Sequence, residues 1–329
     1  MIPRWQAPAF WFTRPGLRTA LLSPLSALVG SIAVSRLRRA GERVSVPVIC
    51  CGNLTAGGTG KTPLTLDLLR RLHRRGHQPH ALLRGYGGRL RGPLQVRPQE
   101  HTAADTGDEA LLLAAVAPAW IGADRAASAR AAIAAGATCL VMDDGLQNPS
   151  LEKDLSLIVV DGATGFGNGR VLPAGPLRLP LSVGLKQGDA MIIMGEGDAV
   201  EHGTMPVLKA GLSNEEHAEL LKGQTVIAFA GIGRPEKFFT SLRQAGIIPL
   251  ECIAFPDHHV WTRQDLDRLT ARAARSGARL LTTEKDAVRL PPEFRKNITA
   301  IPVTLRWQDE RQIEMLLDRY CPLRTDTPP

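Results

Sequence analysis

The sequence predicts an α/β protein in two parts, a first unit with a mostly parallel sheet and a second, smaller α/β unit, preceded by an N-terminal amphipathic helix. Three observations predict it. After residue 43, short apolar runs alternate with helical patterns, the signature of a parallel sheet covered on both faces. A Gly/Pro-rich stretch from Asp161 to Leu181 interrupts that alternation, and a second α/β pattern follows. The chain, at 329 residues, is too long for one small core. These features divide it into 1–42, 43–185 and 186–329.

The first forty residues stand apart. No acidic residue precedes Glu42, whereas Arg4, Arg14, Arg18, Arg36, Arg38 and Arg39 do. Trp5, Phe10, Trp11 and Phe12 crowd the start. In TALLSPLSALVGSIAV, Leu21, Leu25, Leu28, Val29 and Ile32 share one helical face, and Ser23, Ser26, Ala27 and Gly30 fall elsewhere. The apolar run is shorter than a membrane span of about 20 residues and contains Pro24. The aromatics come too early for a secretory signal. A core helix with a basic end would share the pattern. An amphipathic segment lying in a membrane interface accounts for all of it: Trp, Phe and Leu for the acyl boundary, Arg for anionic headgroups.

RVSVPVICC reads as a strand entering a core, GNLTAGGTGKT as a glycine loop, and PLTLDLLRRLHRRG as a helix. Leu64, Leu68, Leu69 and Leu72 form the helical stripe, Pro63 lies in the first turn, and Gly76 stops it. A strand, a glycine loop ending in Gly60-Lys61-Thr62 and a helix make a P-loop. Its amides and lysine wrap polyphosphate, and its threonine serves magnesium. The first glycine position holds Thr55, but Gly57 and Gly58 keep the backbone open to close approach. Thr55, Ala56, Gly57, Gly58, Thr59, Gly60, Lys61 and Thr62 are therefore expected to bind the phosphates of ATP.

HALLRGYGG reads as a strand and turn, TGDEALLLAAVA and DRAASARAAIAAG as helices, and ATCLVMDDG as a buried strand ending in Asp143 and Asp144. An aspartate at that place holds magnesium in P-loop enzymes, so Thr62, Asp143 and Asp144 are the expected metal residues. Asp108 and Glu109 have two compatible readings. Thr106 and Glu109 match a capping box, and Asp108 matches a carboxylate that takes a proton from an attacking hydroxyl. In the second unit, TVIAFAGIG, PLECIAF and ARLLTTEKD read as strands, and RPEKFFTSLRQAG and TRQDLDRLTARAARSG as helices. FPDHHVW carries Asp257, His258 and His259. Adjacent histidines on a strand face opposite ways, which argues against a shared metal. Spacing alone would not single out His258.

Hydrophobic residues at 44% and charged residues at 22% exclude long disordered tracts. A net charge of +8 favours an anionic partner. Nucleic acid is not expected, because aromatics are only 5% and no binding-module motif occurs. Five cysteines without a CxxC pair point to buried thiols in a reducing compartment, not to a disulfide or metal framework. A nucleotide-dependent switch or assembly GTPase at the membrane is the rival, but TTEKD lacks the [NT]KxD spacing that reads a guanine base. The intact Gly-Lys-Thr argues against a purely structural role.

GNLTAGGTGKTP, RGYGG, GDE, DDGLQ, GFGNG with LPAGPLR, FPDHH and TTEKD occur in that order over residues 52–286. Together they resemble the tetraacyldisaccharide 4'-kinase family of lipid A biosynthesis, in which Thr55 is the usual residue at its position. The resemblance implies transfer of the ATP γ-phosphate to the 4'-hydroxyl of a tetraacylated disaccharide 1-phosphate, with Mg2+, forming lipid IVA. It implies Asp108 as base paired with His258, and a glycolipid substrate. It also implies peripheral placement on the cytoplasmic face of the inner membrane, with no protein partner. Arg84 is a basic residue that would meet the 1-phosphate.

Overall fold

The computed structural model describes residues 7–197, 201–214, 219 and 221–324. Arg4 and Trp5 of the basic, aromatic start lie outside the described residues. In chain order the elements are α1 (Leu17–Leu37), β1 (Val48–Gly52), α2 (Lys61–Arg74), β2 (Pro79–Leu83), β3 (Leu94–Gln95), α3 (Ala103–Thr106), α4 (Asp108–Ala114), β4 (Ala119–Ile121), α5 (Arg125–Ala134), β5 (Cys139–Asp143) and β6 (Leu155–Asp161). Then come α6 (Leu181–Leu185), β7 (Ala190–Met194), β8 (Val207–Ser213), β9 (Val226–Ala230), α7 (Pro235–Gln244), β10 (Glu251–Ala254) and α8 (Arg263–Ser276). The chain closes with β11 (Arg279–Thr283), α9 (Glu284–Ala287), α10 (Pro292–Arg295), β12 (Ile298–Ile301), β13 (Thr304–Trp307) and α11 (Glu310–Tyr320).

Nine strands form one sheet in the order β13-β8-β7-β6-β1-β5-β2-β4-β3, antiparallel only at its two ends. Four parallel strands form the second, β10-β9-β11-β12. The mostly parallel large sheet and the smaller α/β unit match the expected class. Along β1, successive side chains enter opposite cores. Ile49 and Cys51 join Leu64, Leu68 and Leu72 of α2, while Val48 and Cys50 join Ala129 and Ala132 of α5. Burial on both faces is why the central strands read as unbroken apolar runs.

The division at 185 does not match the sheets. β7 and β8 extend the large sheet from β6, pairing Leu157 with Ala190 and Met191 with Val207. β13 returns to its edge from the far end of the chain. The physical reason is that β6 is wholly buried and needs a strand on each side. The Gly/Pro stretch before β7 is therefore a loop within the first unit. The capping box also moves: Thr102 and Asp105 form it at α3, and Gly107 precedes α4.

α1 is longer than the apolar run suggested. It spans 21 residues, and its best window has a mean hydropathy of 1.5, long and apolar enough by composition to cross a membrane. Its polarity is inverted relative to a core helix. Ser26 and Gly30 are buried, the Ser26 hydroxyl donating to the Val171 carbonyl at 2.5 Å and Gly30 lying against Pro180. Leu21, Leu25, Leu28 and Ile32 are exposed.

The C-terminal segment braces α2. Trp307 is buried, its indole N–H donating to Asp67 Oδ2 at 2.9 Å, with the Arg71 guanidinium 5.9 Å over the ring. Arg71 and Arg75, both buried, each reach Glu314 at 2.5 Å, and Arg75 also pairs with Asp318. Trp307→Ala is expected to lower the unfolding free energy by about 3 kcal/mol in urea denaturation. A loss below about 1 kcal/mol would mean that β13 contributes little to holding α2.

Candidate active site

The loop between β1 and α2 needs glycine at Gly57 (φ 129°) and Gly60 (φ 92°), both in the region open mainly to glycine. Position 55 makes no such demand. Thr55 forms an isolated antiparallel bridge with Leu177, and the Ala56 N–H donates to the Pro176 carbonyl at 2.7 Å. The departure from the common loop spacing is thus a link to LPAGPLR. A Cβ added at Gly57 or Gly58 would meet no atom within 4 Å, so the loop borders open space. The Thr59 hydroxyl and Asn53 Oδ1 are buried beside it without a partner. These orphaned atoms, with the amide-rich start of α2, suit a polyphosphate and a hydrated cation.

Asp143 ends β5, where the Thr62 hydroxyl donates to Oδ2 at 3.1 Å and the Thr65 hydroxyl to Oδ1 at 3.3 Å. Burial pushes its carboxyl up to about 6, opposed by Lys61. Asp144 has φ 55°, a strained conformation for this residue, and faces the cations. Lys61 Nζ lies 3.8 Å from Oδ1, and Arg178 Nη1 lies 3.1 Å from Oδ2. Burial lowers the Lys61 pKa, and Asp144 works against that. Among the described residues no three His, Cys, Asp or Glu side chains cluster as a metal cage. Magnesium needs none, since it keeps several waters. The Thr62 and Asp143 oxygens are hard donors of the kind it takes.

A second cluster forms where the small unit meets α4. Asp108, buried in the first turn, has Oδ2 2.9 Å from His258 Nδ1 and 3.5 Å from Arg289 Nε. His258 is held at φ 54°, its N–H donating to the Gly231 carbonyl at 3.1 Å. Arg289 donates to Asp286 Oδ1 at 2.6 Å. Asp286, fully buried, also accepts from Gly231 N–H and the Thr283 hydroxyl. Next to Asp108, Glu109 pairs with Lys285 at 2.9 Å, and its charge acts on Lys61 and Asp143. The histidines lie in a turn beyond β10, not on a strand as expected, and they part there: His259 lies 3.1 Å from Asp265.

The chain has counterparts among known proteins. A family model for tetraacyldisaccharide-1-P 4'-kinase (LpxK) matches residues 18–321. The chain belongs to the LpxK family. Its relatives include the tetraacyldisaccharide 4'-kinases of Gluconacetobacter diazotrophicus and Gluconobacter oxydans. The first is 55% identical over 95% of this chain and 98% of its own length, the second 52% over 94% and 97%. A crystal structure of LpxK from Aquifex aeolicus in complex with ATP matches with a TM-score of 0.76 at 27% identity. That match covers 93% of this chain and 99% of the other.

Within this LpxK-family fold, the predicted residues fall into two groups. Lys61, Thr62, Asp143 and Asp144 meet at the P-loop, and Asp108 meets His258 across the unit boundary. Several participants were given no role in the site from sequence: Thr65, Arg178, Asp286 and Arg289. Arg289 carried a usable signal, three residues beyond the aspartate of TTEKD, a spacing that a single turn closes. Asp161 is another: buried at the end of β6, it accepts from Arg234 and Lys237 of the second unit, both at 3.3 Å.

The hydrogen bond to Asp108 raises the His258 pKa above 6.5, with burial and Lys285 opposing it. A raised imidazole pKa contributes stability that is complete below the unfolded value and lost as pH rises through the folded one. The bridge between the units is therefore expected to weaken in that window. In an NMR titration the His258 ring protons should show a midpoint above 6.5 that drops on Asp108→Asn. An unchanged midpoint in the variant would remove Asp108 as the cause.

Proposed function

We propose that this chain transfers the γ-phosphoryl group of ATP to the 4'-hydroxyl of tetraacyldisaccharide 1-phosphate, forming lipid IVA. The observation that carries the reading is the meeting of a P-loop with a buried, bridged Asp108. Phosphoryl transfer asks for positioning and charge neutralisation, and both are present in the residues around the loop. Lys61, with the amides of residues 55–62, holds the β- and γ-phosphates. Thr62 and Asp143 would hold magnesium, with Asp144 kept toward Lys61 and Arg178. The bound metal would spread the charge that develops on the phosphate oxygens.

Asp108 acts as the base. His258 and Arg289 both approach Oδ2, and no side chain bonds Oδ1 among the described residues. Oδ1 takes the proton of the attacking hydroxyl as its oxygen bonds to phosphorus and ADP departs. His258 and Arg289 hold the carboxylate in place from the other side. These contacts join two units, so opening between them would admit substrate and closure would assemble the base.

The protein works as a peripheral enzyme on the cytoplasmic face of the inner membrane, where ATP and an acylated sugar meet. α1 supports this. Its small, polar face is packed on the body of the protein and its leucines point outward, which suits a helix lying in an anionic lipid surface. The flanking Arg14, Arg18, Arg36, Arg38 and Arg39 would meet headgroups.

The decisive assay follows labelled γ-phosphate from ATP into the disaccharide lipid in detergent micelles. Wild type is expected to transfer it, and Asp108→Ala to lose about a hundredfold. Hydrolysis of ATP or GTP without transfer would instead support a nucleotide switch. For the membrane, Leu21→Glu/Leu25→Glu/Leu28→Glu should abolish sedimentation with anionic vesicles while the melting temperature holds, because these side chains touch solvent. Undiminished sedimentation would rule out α1 as the anchor.

A further inference from the structure

The two units touch on both sides of the P-loop strand. On one side Asp108 and Glu109 of α4, which packs on β4, meet His258, Arg289 and Lys285. On the other, where β6 flanks β1, Asp161 meets the start of α7. Asp161 is the last residue of β6 and is buried. Its Oδ1 accepts from the Ala163 N–H at 3.1 Å, so its own loop fixes the carboxylate. Its Oδ2 receives two cations of the second unit, Arg234 Nη1 and Lys237 Nζ, both at 3.3 Å. Neither cation has another carboxylate partner among the described residues. Asp161 pairs with Met194 of β7, and a Cβ added at Gly60 would meet Met194 Cε at 2.9 Å, so a single side chain separates this contact from the P-loop.

The helix that carries these cations does not account for them. Arg234 caps α7 and Lys237 lies in its first turn, where the helix dipole disfavours positive charge. Both side chains are about half exposed, so the pairs add little to stability. What two cations on one fixed oxygen define is a direction. The segment they hold leads to the base. Three residues before Arg234, the Gly231 carbonyl accepts the His258 N–H at 3.1 Å, and the Gly231 N–H donates to Asp286 Oδ1 at 3.0 Å. A Cβ on Gly233 would meet Asp257 Oδ2 at 3.2 Å, so the segment also lies against the residue before His258. Contacts therefore run from Asp161 through Arg234 and Gly231 to His258, and from Gly231 through Asp286 and Arg289 to Asp108.

We infer that Asp161 is a positioning residue for phosphoryl transfer: by clasping Arg234 and Lys237 it sets the Gly231 segment so that His258 is seated on Asp108. This rests on the reading of Asp108 as the base. Asp161 acts through the second unit and not on the reacting atoms. Loss of the clasp leaves the P-loop residues in place and lets His258 drift from Asp108. A misplacement of about 1 Å near the chemistry can cost about a hundredfold, and a shift passed through one backbone segment is expected to lower kcat about tenfold. The KM for ATP is expected to hold, because no phosphate-loop residue is touched.

The test compares wild type with Asp161→Asn, with Arg234→Gln/Lys237→Gln and with all three changes together. Asparagine keeps the shape and an acceptor for the Ala163 N–H but removes the charge. The first readout is the NMR midpoint of the His258 ring protons, taken without substrate. Asp108, Asp257 and Lys285 are the charged groups that act on His258, and every variant retains all three. The midpoint is expected to fall toward 6.5 in each variant, and no further in the combined one, because a single contact is being removed. The second readout is steady-state transfer, with kcat down about tenfold and KM for ATP unchanged. An unchanged midpoint in the folded variants overturns the clasp, and so does an unchanged kcat beside a lowered midpoint. Arg234 and Lys237 are about half exposed, so their variant stays informative should Asp161→Asn unfold. Absence of transfer by wild type would sink the kinase reading instead, and the midpoint would still decide whether Asp161 seats His258.

Discussion

Parallel strands deliver their carboxyl ends to one edge of a sheet, and the chemistry of this protein depends on that constraint. β1 ends in the phosphate loop, β5 ends in Asp143, and Arg84 and Arg125 follow β2 and β4. Segments scattered from 52 to 144 in the chain therefore converge although they are far apart in sequence. Both faces of the sheet must be covered for this arrangement to hold. α2 covers one and α5 with α1 the other, so the helix that follows the P-loop is also a core helix.

Buried charge is the second organising feature. α2 carries Arg71 and is followed at once by Arg75, and both would be unfavourable inside the protein without the acids of α11. That requirement draws the C-terminus back across the molecule and makes the last strand an edge of the first sheet. The same logic runs through the base. Asp286 is held by Thr283 and Gly231, Arg289 by Asp286, and Asp108 by Arg289 and His258. Each charge is satisfied by the next, and the chain of contacts ends on Asp108, the proposed base.

α1 follows a different rule from the amphipathic helices. α2, α4, α7, α8 and α11 bury leucine, whereas α1 buries threonine, serine and glycine and shows leucine to the outside. Small residues let the helix lie close to the loop carrying Val171 and Pro180. In water this is an unfavourable surface of contiguous apolar side chains. In contact with acyl chains it is an ordinary one.

The sequence by itself determined the local elements and the chemistry of the loop. Strand, glycine turn and helix at 48–74 follow from apolar runs, positive-φ glycines and the leucine stripe, all short-range signals. The acids at the end of β5 were legible for the same reason, and the order of the motifs carried the family. Tertiary structure decided what depends on long-range pairing. Whether β7, β8 and β13 belong to the first or second sheet is set by hydrogen bonds between strands far apart in sequence, so composition misplaced the boundary. The partner of Asp108 was legible only through the family resemblance, since spacing does not distinguish His258 from His259. A positive-φ turn at His258 makes that choice. Burial sets Arg289 among acids and leaves Arg125 without one among the described residues, and burial is a property of the whole fold.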